Sequence, residues 1–416
     1  MARGGSVGVR LALMTALVAT PLWLAAQQPQ GRGAAAQDPA RGAQRGTGGP
    51  AGGGSGQFNP DGSLRPAGVG RSLFSQEAYT EYALLEPGSA SFRIRYLFET
   101  THAGSTEMTN DTRGGSEGSG VEVYDPRTGQ PVKFVYEPVP NGDGHRIRAT
   151  LPRPVPEGGI GRLLVYKTYE DDRTYMMNGD DLVWVRSLSG YRLGVILPKG
   201  WAFTSANIAA QMTTTADGRL KLAFASPSGQ ANNLTIHAHK TSATFPPQTF
   251  TDMFFDDVKT LYDLDAPETG RIKVEQTYRD YRKGATATLD SLAYLPLRDL
   301  KVTDLDTAAA LTPTKSGKST TVKLGEPIVN DKQSAYLKLN GTLVNAGYRL
   351  LNGELVFTRT LHGLRNTILL PQGWEVTGVS QSGTIGTYQN RAFVALVNLN
   401  AENNYSVTIR ARKGGA

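Results

Sequence analysis

Five acidic side chains, Glu170, Asp171, Asp172, Asp180 and Asp181, crowd one short segment and are the strongest local candidates for chemistry. Carboxylates this close can ligate calcium, and a pair of them can serve as the acid and base of glycoside hydrolysis. His237 and His239 form the second candidate set. On a strand, positions i and i+2 share a face, so both imidazoles could reach one metal ion. The plainer readings, solvated loop acids and a solvent-facing polar row, are the ones expected here.

Other chemistries are bounded by what the sequence lacks. With no Cys, the chain has no thiolate zinc site, iron–sulfur cluster, cysteine nucleophile or lipid-bearing Cys. There is no HExxH helix, Gly-rich phosphate loop, GxSxG elbow or calcium loop with a terminal Glu. No cofactor is therefore expected. The Trp residues beyond the leader, Trp184, Trp201 and Trp374, are expected in the core and not on a sugar-stacking platform, although the 17 Tyr leave a tyrosine-lined groove open.

The elements that must position these residues are written twice. Asp181-Leu-Val-Trp-Val-Arg-Ser-Leu-Ser-Gly-Tyr-Arg192 recurs 173 residues later as Glu354-Leu-Val-Phe-Thr-Arg-Thr-Leu-His-Gly-Leu-Arg365. Leu197-Pro-Lys-Gly-Trp201 recurs as Leu370-Pro-Gln-Gly-Trp374, and Thr235-Ile-His-Ala-His-Lys240 as Thr408-Ile-Arg-Ala-Arg-Lys413. Two homologous domains in tandem follow. The repeat bears on the candidates directly. Arg410 and Arg412 replace the two histidines, which marks a polar row, and the second copy answers the acidic segment with Glu354 alone.

Each copy reads as an all-β, Ig-like sandwich. Phe92-Arg-Ile-Arg-Tyr-Leu-Phe98, the 219–224 run and the 405–412 run alternate with period two. Turn pairs punctuate them at Asp125–Gly129, Asp143-Gly144, Asn178-Gly179, Asp217-Gly218, Asn340-Gly341 and Asn352-Gly353. One helix is expected over Thr249–Asp263, where Phe250, Phe254, Val258 and Leu261 recur at helical spacing. Arg186 and Arg359 fall on apolar strand faces, as do Asp125 and Asp304. A buried charge needs a partner, so Arg186–Asp125 and Arg359–Asp304 are expected as equivalent ion pairs.

Residues 1–26, with Arg3 and Arg10 before the apolar run Leu11–Ala26, read as a secretory signal. Residues 27–70 are a Gly-, Ala-, Pro- and Gln-rich segment that cannot bury a core and is expected to be disordered. The first sandwich then spans 71–245, a linker with the helix 246–268, and the second sandwich 269–416. The formal charge of +7 resides mostly in the leader and arm, leaving a nearly neutral body with no nucleic-acid footprint. No membrane span is expected after the signal.

The Asp181 to Trp201 run, with its Leu-Pro-x-Gly-Trp close, resembles β-domains of uncharacterised exported bacterial proteins. It is also distantly similar to the non-catalytic β-domains of secreted metallopeptidases. The resemblance implies an accessory or binding role, because the zinc helix of those peptidases is missing here. The expected function is a non-enzymatic, exported interaction or ligand-binding protein of the cell envelope, periplasmic or extracellular, with a protein or glycan as partner. A glycan-active hydrolase using the 170–181 carboxylates and a purely structural spacer are the alternatives.

Overall fold

The computed structural model describes residues 78–414, apart from 113–116, 140–143, 189–191, 226–231, 248–257, 289–295, 318 and 399–403. The expected signal (1–26) and arm (27–70) lie outside the described residues, as does Asp143.

Two copies of one β architecture fill the described chain, and both fall within a single compact unit. The large sheet of the first copy has seven strands in the order Gln211–Thr214, Leu220–Ala225, Arg192–Ile196, Ala78–Leu84, Ser91–Thr100, Gly161–Glu170, Glu117–Tyr124. The second copy repeats that order with Thr384–Tyr388, Arg391–Val397, Arg365–Leu369, Lys259–Leu264, Arg271–Asp280, Ala335–Val344 and Arg298–Asp304, adding Ala310–Leu311 at the edge. In both, the first strand of the copy pairs in parallel with the third in this order, Tyr82 opposite Val195 and Tyr262 opposite Ile368.

A four-stranded sheet covers each large sheet. It is Trp201–Ala206, Asn232–Lys240, Asp181–Leu188, Tyr175–Asn178 in the first copy and Trp374–Val379, Asn404–Lys413, Glu354–His362, Tyr348–Leu351 in the second. The first copy carries a further three-stranded sheet, Glu107–Asp111, His145–Thr150 and Phe134–Pro138, and the second a smaller counterpart, the hairpin of Pro313–Ser316 and Ser319–Val322 with an Ala287–Lys323 bridge. Alternation drives this layering, since successive side chains of a strand point to opposite faces. Phe92 and Ile94 point inward to Trp184, Tyr82 and Trp201, and Ile272 and Val274 point inward to Phe357, Tyr262 and Trp374. Each such side chain contributes about 1.5–3 kcal/mol on burial. The Trp residues are core, as expected.

Two sequence expectations need correction. Lys259–Leu264 is a strand and not the end of a helix; the segment 248–257 lies outside the described residues. Thr260, Tyr262 and Leu264 are buried at alternate positions, so period two prevails over the i, i+4 pattern, and the second sheet begins before residue 269. Asn340-Gly341 is no turn but sits inside Ala335–Val344. A Cβ on Gly341 would lie 2.9 Å from both the Leu297 Cβ and the Arg298 carbonyl, so the glycine admits a close neighbour. Asn352-Gly353, in contrast, is the hairpin turn its sequence announces, with φ of 52° and 81°.

The copies are clamped by buried charges. Arg162 grips Asp306 through two bonds of 2.7 and 2.5 Å and also donates to the Ser334 hydroxyl and carbonyl. Arg279 pairs with Glu99, and both guanidinium groups lie on the Tyr336 ring. Glu99 and Arg279 are each the ninth residue of their ten-residue strands, so equivalent positions of the two copies meet, as at the axis of a symmetric dimer. Backbone bonds from Ser334 to Pro126 and from Ile160 to Leu305 complete the seam. Because Arg162 and Asp306 are almost wholly buried, Asp306→Ala should cost about 3–5 kcal/mol by leaving the guanidinium uncompensated. Denaturant unfolding measures this, and the double variant Arg162→Leu/Asp306→Leu should recover part of the loss.

Candidate functional site

The acids of the 170–181 segment do separate jobs. Asp171 is buried and accepts from the Arg173 backbone N–H at 3.2 Å and the Thr174 hydroxyl at 2.8 Å, holding the turn after Gly161–Glu170. Asp181 meets His237 Nδ1 across the strand pair at 2.6 Å. Glu170, Asp172 and Asp180 are exposed. Among the described residues, no three acids or histidines are placed to hold a metal ion. His239 takes a different partner from His237, the Thr204 hydroxyl at 2.9 Å.

The second copy explains the Asp181–His237 contact. Its equivalents, Glu354 and Arg410, form the same cross-strand pair at 2.6 Å. Arg410 and Thr377 hold the Glu354 carboxyl below the usual range of a glutamate. These are cross-strand polar pairs of the sheet surface, and the signal for them was present in the repeat at both positions.

The expected pairs Arg186–Asp125 and Arg359–Asp304 do not form. Asp125 caps its own turn, accepting from the Arg127 N–H at 3.0 Å and the Thr128 hydroxyl at 3.1 Å, and its charge is met by Arg153 at 3.2 Å. Asp304 caps the equivalent turn through the Asp306 N–H at 2.9 Å, and burial, with Asp306 alongside, raises its carboxyl pKa. The two aspartates do share a role, but it is local. The two arginines share one as well. Arg186 lies 4.9 Å from the Tyr82 ring centroid and donates to its hydroxyl at 3.1 Å, and Arg359 lies 5.7 Å from the equivalent Tyr262. Aromatic faces supply part of what a carboxylate would have given.

Lys167 is one of several buried cations that the sequence reading did not single out. Lys167 is 4% exposed, its Nζ donates to Asn110 Oδ1 at 2.6 Å, and it sits over the Tyr169 ring. Burial first, and the Arg186 charge second, push its ammonium down to about 7. Alternation in Leu163-x-Val165-x-Lys167-x-Tyr169 was the sequence signal that could have found it.

A cleft opens on the other face of the same sheet. It has a volume of about 380 Å³ and is walled by Glu81, Arg93, Arg95, Glu122 and Tyr166 from four adjacent strands. Asp331 and Lys332 of the second copy close it. Three cations thus face three carboxylates. Burial alone would raise the Glu81 pKa, but Lys221, Arg95 and Tyr79 outweigh it and hold the carboxyl ionised below its ordinary range. Arg93 lies 5.3 Å from the Tyr166 ring centroid and 3.9 Å from Glu122, and Lys332 lies 5.0 Å from the Tyr124 centroid. The arrangement can bind a polar ligand through both charge signs.

Comparison with known proteins adds a weak likeness. No family model and no curated protein matches the chain. Among solved structures it is similar to an M1 zinc metallopeptidase from Deinococcus radiodurans, at 13% identity and a TM-score of 0.29, over 46% of this chain and 45% of that one. A mutant of that enzyme bound to a Tyr-Ser-Ala substrate gives 13%, a TM-score of 0.28, and coverage of 40% and 43%. The chain spans less than half the length of these structures. The likeness is of the same weak kind as the sequence resemblance to metallopeptidase β-domains, and nothing of their activity is carried across.

The depressed Lys167 amine has a consequence for stability. The unfolded chain binds this proton up to about pH 10.5 and the folded chain only up to about 7, so burial of Lys167 is penalised most at low pH and the penalty is relieved as pH rises between those values. Lys167→Met should therefore be the more stable protein at pH 6. Its advantage should shrink from pH 7 to 10 by up to about 1.4 kcal/mol per pH unit, read from urea midpoints.

Proposed function

We propose that the chain is a non-catalytic binding protein of the cell envelope, and that its ligand occupies the charged cleft at the seam of the two copies. The observation that carries this reading is the cleft itself, in which four strands of one copy are closed by Asp331 and Lys332 of the other. Ligand sites favour such domain junctions. The mixture of guanidinium, ammonium and carboxylate groups suits an envelope peptide or glycan that bears both amine and carboxylate groups. Export rests on the leader pattern of residues 1–26. The turn-capping role of Asp171 and the cross-strand role of Asp181 weigh against the hydrolase alternative.

Binding of the mature chain to a panel of cell-wall peptides and amino-sugar oligosaccharides, followed by calorimetry, tests the proposal. The double charge reversal Arg93→Glu/Lys332→Glu alters half-exposed rim groups and should leave folding intact. It should weaken binding at least about tenfold, as expected for losing two charge-assisted contacts. Equal binding by that variant would place the ligand elsewhere, and no binding by the parent to any member of the panel would remove the proposed ligand class.

A further inference from the structure

The inner face of the first large sheet is covered by two smaller sheets, and Lys167 lies where they meet. Its strand neighbours on that face are Val165, in the core under the three-stranded sheet, and Tyr169, in the core under the four-stranded sheet. Asn110 reaches Lys167 from one covering sheet and Arg186 comes from the other. Both cations flank the Tyr169 ring, at 5.0 and 5.9 Å from its centroid.

Two basic groups thus share one dry core. Among the described residues, neither Lys167 nor Arg186 has a carboxylate at ion-pair distance, and Arg186 Nη1, on a residue 8% exposed, has no hydrogen-bond partner. The acid with the largest influence on Lys167 is Asp111, and its two oxygens are already held by Arg146 at 2.6 and 2.9 Å. The second copy keeps the arginine but not the lysine. Gly341, the seventh residue of its strand as Lys167 is of its own, is packed under Leu297. The double-cation arrangement belongs to the first copy alone.

We propose that Lys167 is a carbamylation site, taking carbon dioxide onto Nζ to give a carboxylate that answers Arg186. The Nζ lone pair attacks the carbon, an N–C bond forms, one C=O electron pair moves onto oxygen, and one Nζ proton leaves to solvent. No oxidant or reductant is needed. An amine that loses its proton near pH 7 has the lone pair this step requires at physiological pH. The N–H that remains keeps its bond to Asn110 Oδ1, and the new carboxylate stands beside the ring that carries the guanidinium. Carbon dioxide is small and uncharged, so it can enter a core that would exclude a hydrated anion.

Carbon-13 NMR of the whole chain, equilibrated with labelled bicarbonate at mildly alkaline pH, tests this. Beyond the carbamate of the α-amino group, one further carbamate resonance is expected, absent from Lys167→Met and Lys167→Arg, and about tenfold weaker in Arg186→Gln, which loses one charge-assisted partner. The melting temperature of the parent, but not of Lys167→Met, should rise with bicarbonate over chloride at equal ionic strength and pH. Absence of the resonance, or its persistence in Lys167→Met, overturns the proposal. Equal stabilisation by chloride and bicarbonate without that resonance also overturns it, by making the site one for simple anions.

Discussion

The clamp of Arg162 on Asp306, with Arg279 on Glu99 beside it, makes one body of two sandwiches. Each copy has a hydrophobic core of its own. What they share is the outer faces of their large sheets, where Tyr79, Leu97 and Leu164 of the first copy meet Leu364 of the second. Charges desolvated there are tolerable only with their partners in place, and that requirement sets how the copies dock. The cleft depends on this docking, because Asp331 and Lys332 reach it only across the seam.

Duplication separates what the fold needs from what one copy has added. Asp181–His237 and Glu354–Arg410 are one contact made with different residues, and so are Arg186 on Tyr82 and Arg359 on Tyr262. Features of this kind hold the sandwich. Lys167 with Asn110 and the charged side chains on the cleft strands belong to the first copy, while the second lends its loop at 331–332. The first copy therefore carries most of what a ligand or modification would use.

Much of the architecture was legible along the chain. The 173-residue repeat, the alternating runs such as Phe92–Phe98 and the Trp residues of the core depend on local pattern, and local pattern is what a strand in a sandwich displays. The 249–263 segment misled because Leu261 fits a helical spacing, whereas burial of Thr260, Tyr262 and Leu264 was decided by a parallel neighbour more than a hundred residues away. Asn340-Gly341 misled because a glycine wanted for close packing looks the same as one wanted for a turn.

The site was the least legible part. That Asp125 and Asp304 share a role, and that Arg186 and Arg359 share another, followed from sequence alone, because equivalent positions of a repeat face equivalent surroundings. Which group each one meets did not. An aspartate ahead of a turn can be satisfied by its own backbone amides, and an arginine on an aromatic face by ring electrons, so neither had to seek the other. The cleft was invisible for a similar reason. Its seven charged and aromatic walls come from five separate stretches of chain, each unremarkable alone, and only the packing of one large sheet against the next copy brings them together.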